Sequence, residues 1–397
     1  MGFRRLLILL TAGAIAQSVP GFSQTFSSGS NGSDGPLNFN TPGTIDFDPA
    51  ALGLNPAGDN IFNFTSINIA AGVTVNMRAS KLRERSVVWL AMGAVTIAGT
   101  LNLSGANGYL PGSAAARAPS EPGPGGYPGG VGGTDSSPAQ NGSGPGGGTA
   151  CGSYATANCG GTIYGNSLLV PLRGGSGGAG VGANVPNAAG GGAGGGAIQI
   201  VSSVSITVTG SILANGGAGG NSTTVEGFGG SGGAIHLEAP IVAGTGVVQA
   251  TGVGVTFEGT PLLAGDSGWL RVDAPTNSFT GTFNPAPTFG PLFNVPLPSA
   301  VPTVSIKTIS GVAVPSAPTG SFTTPDITIN NGAAVPVVIA AANIPLGTMV
   351  NLVVSSETGA DQTVSASPLT GSVASSTATA NIVWPLGVSR VYIRAVW

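Results

Sequence analysis

Gly230-Ser-Gly-Gly-Ala-Ile-His-Leu-Glu-Ala-Pro240 aligns without a gap on Gly265-Asp-Ser-Gly-Trp-Leu-Arg-Val-Asp-Ala-Pro275, an offset of 35 residues (230 to 265). Each stretch centres on two apolar residues at strand spacing, Ile235 with Leu237 and Leu270 with Val272. Side chains alternate along a strand, so such a pair marks one buried face. The pattern recurs upstream, doubled: Ile67-x-Ile69 with Val73-x-Val75, Val88-x-Leu90 with Val95-x-Ile97, and Ile198-x-Ile200 with Val204-x-Ile206. Copy starts at 67, 88, 198, 235 and 270 are separated by 21, 110, 37 and 35 residues. About 21 residues makes one coil of a parallel β-helix, in which short strands stack on those of the coil before. The longer steps read as coils carrying loops.

The step of 110 holds an insertion over about 105–196 in which roughly one residue in three is glycine. It lacks the apolar residues for a core of its own. Two states are open to it: disorder, or extended polyglycine-II-like strands packed side by side on the solenoid. The expectation is order near 174–197 and a surface loop over 111–150, where prolines abound without periodicity.

Composition points the same way. The chain of 397 residues has 69 Gly and 30 Pro against 12 Lys+Arg and 15 Asp+Glu. Glycine and proline oppose helix, and Val, Ile and Thr favour strand, so a helix-rich enzyme is excluded. A net charge of −3 with so few cations argues against nucleic acid as a partner. Residues 1–24 carry a basic head, Arg4 and Arg5, then an apolar run from Leu6 to Ala16 and small residues beyond, the pattern of a secretory signal. That run is too short to span a bilayer. Cys151 and Cys159, the only two cysteines, are expected to pair in an oxidising compartment, with a metal or redox pair as the competing reading.

Pro291, Pro296, Pro298 and Pro302 mark a linker over 291–302, after which alternating runs dominate 303–397. Val335-Pro-Val-Val-Ile339, Met349-Val-Asn-Leu-Val-Val354, Thr377-Ala-Thr-Ala-Asn-Ile-Val-Trp384 and Val388-Ser-Arg-Val-Tyr-Ile-Arg-Ala-Val-Trp397 predict a small antiparallel β-sandwich. The expected fold is therefore all-β: a short parallel β-helix over 25–290 with its Gly-rich insertion, then the sandwich.

Stacking the last two copies would set His236 over Arg271 and Glu238 over Asp273 on an outward face. Such a quartet can bind sugar or cation, or supply paired carboxylates for acid–base work with His236 beside them. It can equally be a surface salt-bridge ladder of little energetic weight. With Gln199 and Val201 at the equivalent positions of the third copy, any site would be confined to one end of the stack. Asp46 and Asp48, with Asp59, are the residue types of a calcium site but lack the spaced Asp/Gly array of calcium loops. The densest charge run, Arg78-Ala-Ser-Lys81-Leu-Arg83-Glu84-Arg85, reads as a solvated bend or as a contact for anionic polysaccharide. Tyr109, Tyr127, Tyr154 and Tyr164 are candidates for stacking on sugar rings. Nucleophile-elbow, phosphate-loop, zinc and dinucleotide patterns are missing or lack their strand–helix context, so no cofactor and no metal is expected.

Ser28-Gly-Ser-Asn-Gly-Ser-Asp-Gly35, Phe62-Asn-Phe-Thr-Ser-Ile-Asn-Ile69, Val95-Thr-Ile-Ala-Gly-Thr-Leu-Asn-Leu-Ser-Gly105 and Pro124-Gly-Gly-Tyr-Pro-Gly-Gly130 resemble glycine-rich exported bacterial β-solenoid proteins, distantly similar to filamentous-haemagglutinin-type adhesins. The resemblance covers roughly 25–275 and implies a surface or extracellular protein, transferring no catalytic residue. The expected function is a secreted or cell-surface structural or adhesive protein that contacts polysaccharide through Arg78, Lys81, Arg83, Arg85 and Arg271. The alternative is a polysaccharide lyase or glycoside hydrolase using Glu238, Asp273 and His236.

Overall fold

Alternation of small or β-branched apolar residues with Thr, Ser and Asn leaves the chain little choice but strand, and short strands broken by glycine must find partners elsewhere in the sequence. The computed structural model describes residues 26–54, 58–82, 85–110, 118–134, 137–151, 159–182, 188–220, 227–254, 256–257, 260–261, 265–292, 302–316, 318, 325–356, 361–384 and 391–396. The expected signal segment and most of the linker lie outside them. The chain opens with β1 (Gly35–Phe39), β2 (Gly43–Asp46), β3 (Ile61–Ile69) and β4 (Val73–Asn76). The single helical turn α1 (Ala79–Leu82) follows, the one helix among the described residues. Then come β5 (Val87–Ala91), β6 (Val95–Ile97), β7 (Thr100–Asn102), β8 (Ala197–Ser202), β9 (Ile206–Val208) and β10 (Ser211–Leu213). β11 (Ala234–Glu238), β12 (Ile241–Gly244) and β13 (Val247–Gln249) precede a small hairpin of β14 (Thr256–Phe257) and β15 (Thr260–Pro261). β16 (Trp269–Asp273), β17 (Thr276–Phe279), β18 (Thr282–Asn284) and β19 (Thr288–Gly290) complete this part.

Apart from that hairpin every pairing between strands among the described residues here is parallel, and the strands form three ladders. The first half of β3 begins the ladder β3-β5-β8-β11-β16-β19. Its second half lies between β1 and β6 in β1-β3-β6-β9-β12-β17. The third ladder is β2-β4-β7-β10-β13-β18. Each passage of the chain thus adds one strand to each ladder, and apolar residues stack in register: Phe62, Trp89, Ile200, Leu237 and Val272 in one row, Val75, Leu101, Ile212, Val248 and Phe283 in another. These rows meet in one buried cluster. At one end Phe47 packs edge-on to Phe62 and Trp89, with ring centroids 5.2 and 5.5 Å apart.

The pairing corrects the phase read from the sequence. Phe62 pairs with Trp89, and Ile67 with Val95, so the first full step is 27 to 28 residues rather than 21. Matching Ile67 to Val88 equates the second strand of one passage with the first strand of the next. In β5 the residues facing the core are Val87, Trp89 and Ala91, and in the third copy they are Ile206 and Val208, leaving Val204 half exposed. A slip of one residue moves a strand's whole apolar set to the other face, which is why register follows the larger side chains.

The Gly-rich insertion is not a surface loop over 118–134, where most residues are buried. Its core is the run 190–196, whose backbone N–H groups turn to three neighbours in rotation. Gly190, Ala193 and Gly196 donate to Tyr109, Ala106 and Leu103; Gly191 and Gly194 to Gly130 and Tyr127; Gly192 and Gly195 to Phe228 and Ser231. A sheet strand bonds on two sides only, whereas a three-residue-per-turn extended helix without internal hydrogen bonds can bond on three. A Cβ on Gly194 would overlap the carbonyl oxygen of Gly175, so the close approach requires glycine there. The insertion also has a small apolar cluster that the composition hides: Cys151, Cys159, Ala179, Val181, Ala189 and Phe228. The Cys151–Cys159 disulfide sits within it, its Cα atoms 6.0 Å apart.

Two antiparallel sheets follow. Their strands are β20 (Thr303–Ile309), β21 (Val312–Ala313), β22 (Val335–Ala342), β23 (Asn351–Ser356), β24 (Gln362–Ser365), β25 (Thr370–Ser372), β26 (Ser375–Ile382) and β27 (Val391–Val396). The sheets run β21-β20-β22-β26-β25 and β24-β23-β27. Strict alternation in β22 and β26 sends Val335, Val337, Ile339, Ala378, Ala380 and Ile382 into a cluster shared with Leu352 and Val354 of β23. Gln140 joins the glycine-rich region to this part, its Nε2 donating to Ser355 Oγ at 3.0 Å and Asp361 Oδ2 at 2.8 Å.

Candidate functional site

Strands β8, β11 and β16 stack in register, and this brings the expected quartet together. His236 pairs with Arg271 and Glu238 with Asp273, while Gln199 lies on the other side of His236. His236 Nε2 is 2.7 Å from Asp273 Oδ2, and Arg271 Nε donates to the same oxygen at 2.8 Å. Gln199 Nε2 donates to Glu238 Oε2 at 3.3 Å, so the third copy joins the cluster and the group spans three strands, not two.

The face is not open to solvent. His236, Glu238, Arg271 and Asp273 are 2, 1, 6 and 0 % exposed. The cover comes from a segment remote in sequence. Leu169 and Leu172 pack on Ala197, Ala234 and Trp269, Trp269 Nε1 donates to Tyr164 O at 3.1 Å, and Arg271 Nη1 reaches Ser167 O at 3.4 Å. Gly290 of β19 closes over the far side, with no room for a Cβ beside Arg271 and Asp273. Asp273 Oδ1 there is buried without a hydrogen-bond partner. Glu238 and Asp273 are register partners on adjacent strands. A sugar ring has no path to them, so the exposed patch and the surface ladder expected from the sequence both give way to an enclosed ionic network.

The charge run at α1 is also differently placed. Arg78 Nε donates to Asp46 Oδ1 at 2.9 Å and its Nη1 lies 3.8 Å from Glu121 Oε2. Lys81 Nζ is 2.8 Å from Asp48 Oδ2. The Lys81 hydrogen bond holds Asp48 below its ordinary carboxylate range, and Asp48 in turn raises Lys81. Arg85 Nη1 donates to Gly58 O at 2.8 Å, and Arg83 lies outside the described residues. Arg78, Lys81 and Arg85 are thus each partnered by a carboxylate or a carbonyl, and Arg78 and Lys81 stay partly exposed. Asp59 accepts from Ile61 N at 3.0 Å, apart from the Asp46 and Asp48 pairs. Among the described residues no three acidic, histidine or cysteine side chains group closely enough to hold a metal.

Beside Arg78 opens a cleft of about 170 Å³ lined by Asn76, Asn102, Ser104 and Glu121, among others. The two asparagines are neighbours in the third ladder. Asn102 Nδ2 donates to Asn76 Oδ1 at 3.1 Å, and Asn76 Nδ2 to Asp46 Oδ1 at 3.3 Å. Glu121 Oε1 accepts from both Ser80 N and Ser80 Oγ, which orients the carboxylate. Tyr109 is 37 % exposed, and its hydroxyl is raised above its ordinary value chiefly by burial, with the Glu121 charge adding to the effect. Of the other tyrosines, Tyr127 accepts a hydrogen bond from Arg173 at 3.1 Å, and Tyr154 lies outside the described residues. The sequence reading missed the asparagines; their signal was the shared Thr-x-Asn of Thr74-Val-Asn76 and Thr100-Leu-Asn102, in register on neighbouring strands.

The chain matches no family model, no curated protein and no solved structure.

Proposed function

We propose that this chain is an exported, non-catalytic structural or adhesive protein that contacts polysaccharide or surfaces. Its three ladders are the faces of a short parallel β-solenoid over 25–290, joined through 291–302 to a C-terminal β-sandwich over 303–397. The observation that carries the reading is the closure of the His236, Glu238, Arg271 and Asp273 network. The residues of that network are spent on one another and on Gln199 inside the fold. On the third ladder the outward side chains include rows of small polar residues, such as Thr74, Thr100 and Ser211, one rung apart. Flat repeated surfaces of this kind suit contact without turnover. The disulfide favours an oxidising compartment. No helix among the described residues is long and apolar enough to cross a membrane.

The test is retention of the protein on a panel of insoluble and immobilised polysaccharides, with the supernatant assayed for new reducing or unsaturated ends. Retention without product is the expected result. Product release would overturn the reading in favour of a lyase or glycoside hydrolase, and Glu238, Asp273 and His236 would then be the residues to replace.

A further inference from the structure

We infer that the cleft between α1 and the third ladder is a binding site for a neutral glycan, with Asn76, Asn102, Arg78 and Glu121 as its polar contacts. This rests on the proposed contact with polysaccharide and names the place and the ligand class.

The amides are the core of the argument. A primary amide has two N–H donors and two acceptor lone pairs. The chain Asn102 to Asn76 to Asp46 uses one N–H of each asparagine and fixes which way each amide points. Asn102 Oδ1 also accepts from Ser104 N at 3.1 Å. Each asparagine therefore keeps one N–H and one lone pair, repeated at the strand spacing of about 4.8 Å. A paired donor and acceptor is what a sugar hydroxyl, itself donor and acceptor, requires. Both residues are half-buried, held in place yet reachable.

Arg78 and Glu121 extend the set across the cleft. The guanidinium has N–H groups beyond those facing Asp46 and Glu121, and Glu121 Oε2, 3.8 Å from Arg78 Nη1, has a second lone pair with which to accept from a ligand. The volume, about 170 Å³, is well below the roughly 300–1,000 Å³ of pockets that enclose a whole drug-sized ligand. It fits one ring of a chain lying across an open face.

Charge selects the class. Among the described residues the cleft is lined by one cation, Arg78, and one carboxylate, Glu121, with the Asp48–Lys81 pair and Asp46 close by. The chain as a whole carries −3. The described lining thus offers a uronate or sulfated glycan no excess of cations to bind, whereas hydroxyl groups need none.

The experiment titrates the full chain with cellohexaose and maltohexaose as neutral probes and a galacturonate hexamer as the acidic one, following the side-chain amide resonances of Asn76 and Asn102. Saturable shifts of those resonances with a neutral hexamer, and at least tenfold weaker binding in Asn102→Ala, are expected. Thermal unfolding of the variant, measured alongside, separates lost contact from lost fold, and the resonances read the site in the unaltered protein. Stronger binding of the acidic hexamer would overturn the neutral class. Retention on insoluble polysaccharide with unshifted amides and undiminished binding by Asn102→Ala would overturn the cleft while leaving the polysaccharide reading standing. Absence of both retention and shifts would overturn the two together.

Discussion

His236 Nε2 and Asp273 Oδ2 lie 2.7 Å apart across adjacent parallel strands, and neither side chain is more than 2 % exposed. Asp273 also takes the Arg271 Nε at 2.8 Å, so one carboxylate oxygen serves two nitrogen partners of the neighbouring and the same strand. Removing a partner from such a group leaves a buried charge uncompensated.

Asp273→Asn should therefore destabilise the parallel part of the fold by about 3–5 kcal/mol, the range seen when one member of a buried pair is lost. Urea denaturation followed by far-ultraviolet circular dichroism checks it. A loss below about 1 kcal/mol would mean that the network is hydrated and weak.

Gly194→Ala should loosen the glycine bundle without unpairing the ladders. The added methyl overlaps the Gly175 carbonyl, and overpacking of this kind costs about 1–3 kcal/mol. Hydrogen exchange is expected to quicken for the amides of 190–196 while those of β8 and β11 keep their protection. Unchanged exchange at 190–196 would contradict the packing.

The Asp48–Lys81 pair sets a small dependence on pH. Asp48 is held below its ordinary 3.8, so its contribution is present above that value and is lost as the pH falls through the lower folded one. Lys81 is raised above 10.5, so its contribution is present below that value and is lost as the pH rises through the higher folded one. The side chains are 40 and 27 % exposed, which places the pair among surface ion pairs worth roughly 0–1 kcal/mol. Lys81→Ala should cost less than about 1 kcal/mol at neutral pH, and the difference should vanish near 1 M salt, where screening acts over about 3 Å. Paired denaturation curves at low and high salt measure it.

The register of β11 on β16 was legible because equal loop lengths keep the offset at 35 residues, and parallel stacking converts that offset directly into neighbours. The register at the other end was not, because β3 runs on through two ladders and its Phe62 and Ile67 answer to different strands. Burial of the quartet was illegible for another reason. It depends on Ser167, Leu169 and Leu172 folding back over strands some 60 to 100 positions later, and nothing in a local pattern reports that. The pairing of Arg78 and Lys81 with Asp46 and Asp48 is likewise a contact across 32 and 33 positions. The glycine run was legible as a candidate for side-by-side polyglycine-II packing, because only glycine lets backbones approach so closely, but which three neighbours its N–H groups meet was not.

The rotation of N–H groups along 190–196 constrains how this region can change in length. An insertion of one or two residues would turn every later N–H by a third or two thirds of a turn, while three would restore its direction. The direction of those N–H groups thus repeats in triplets, a reading frame written in the backbone and kept by glycine.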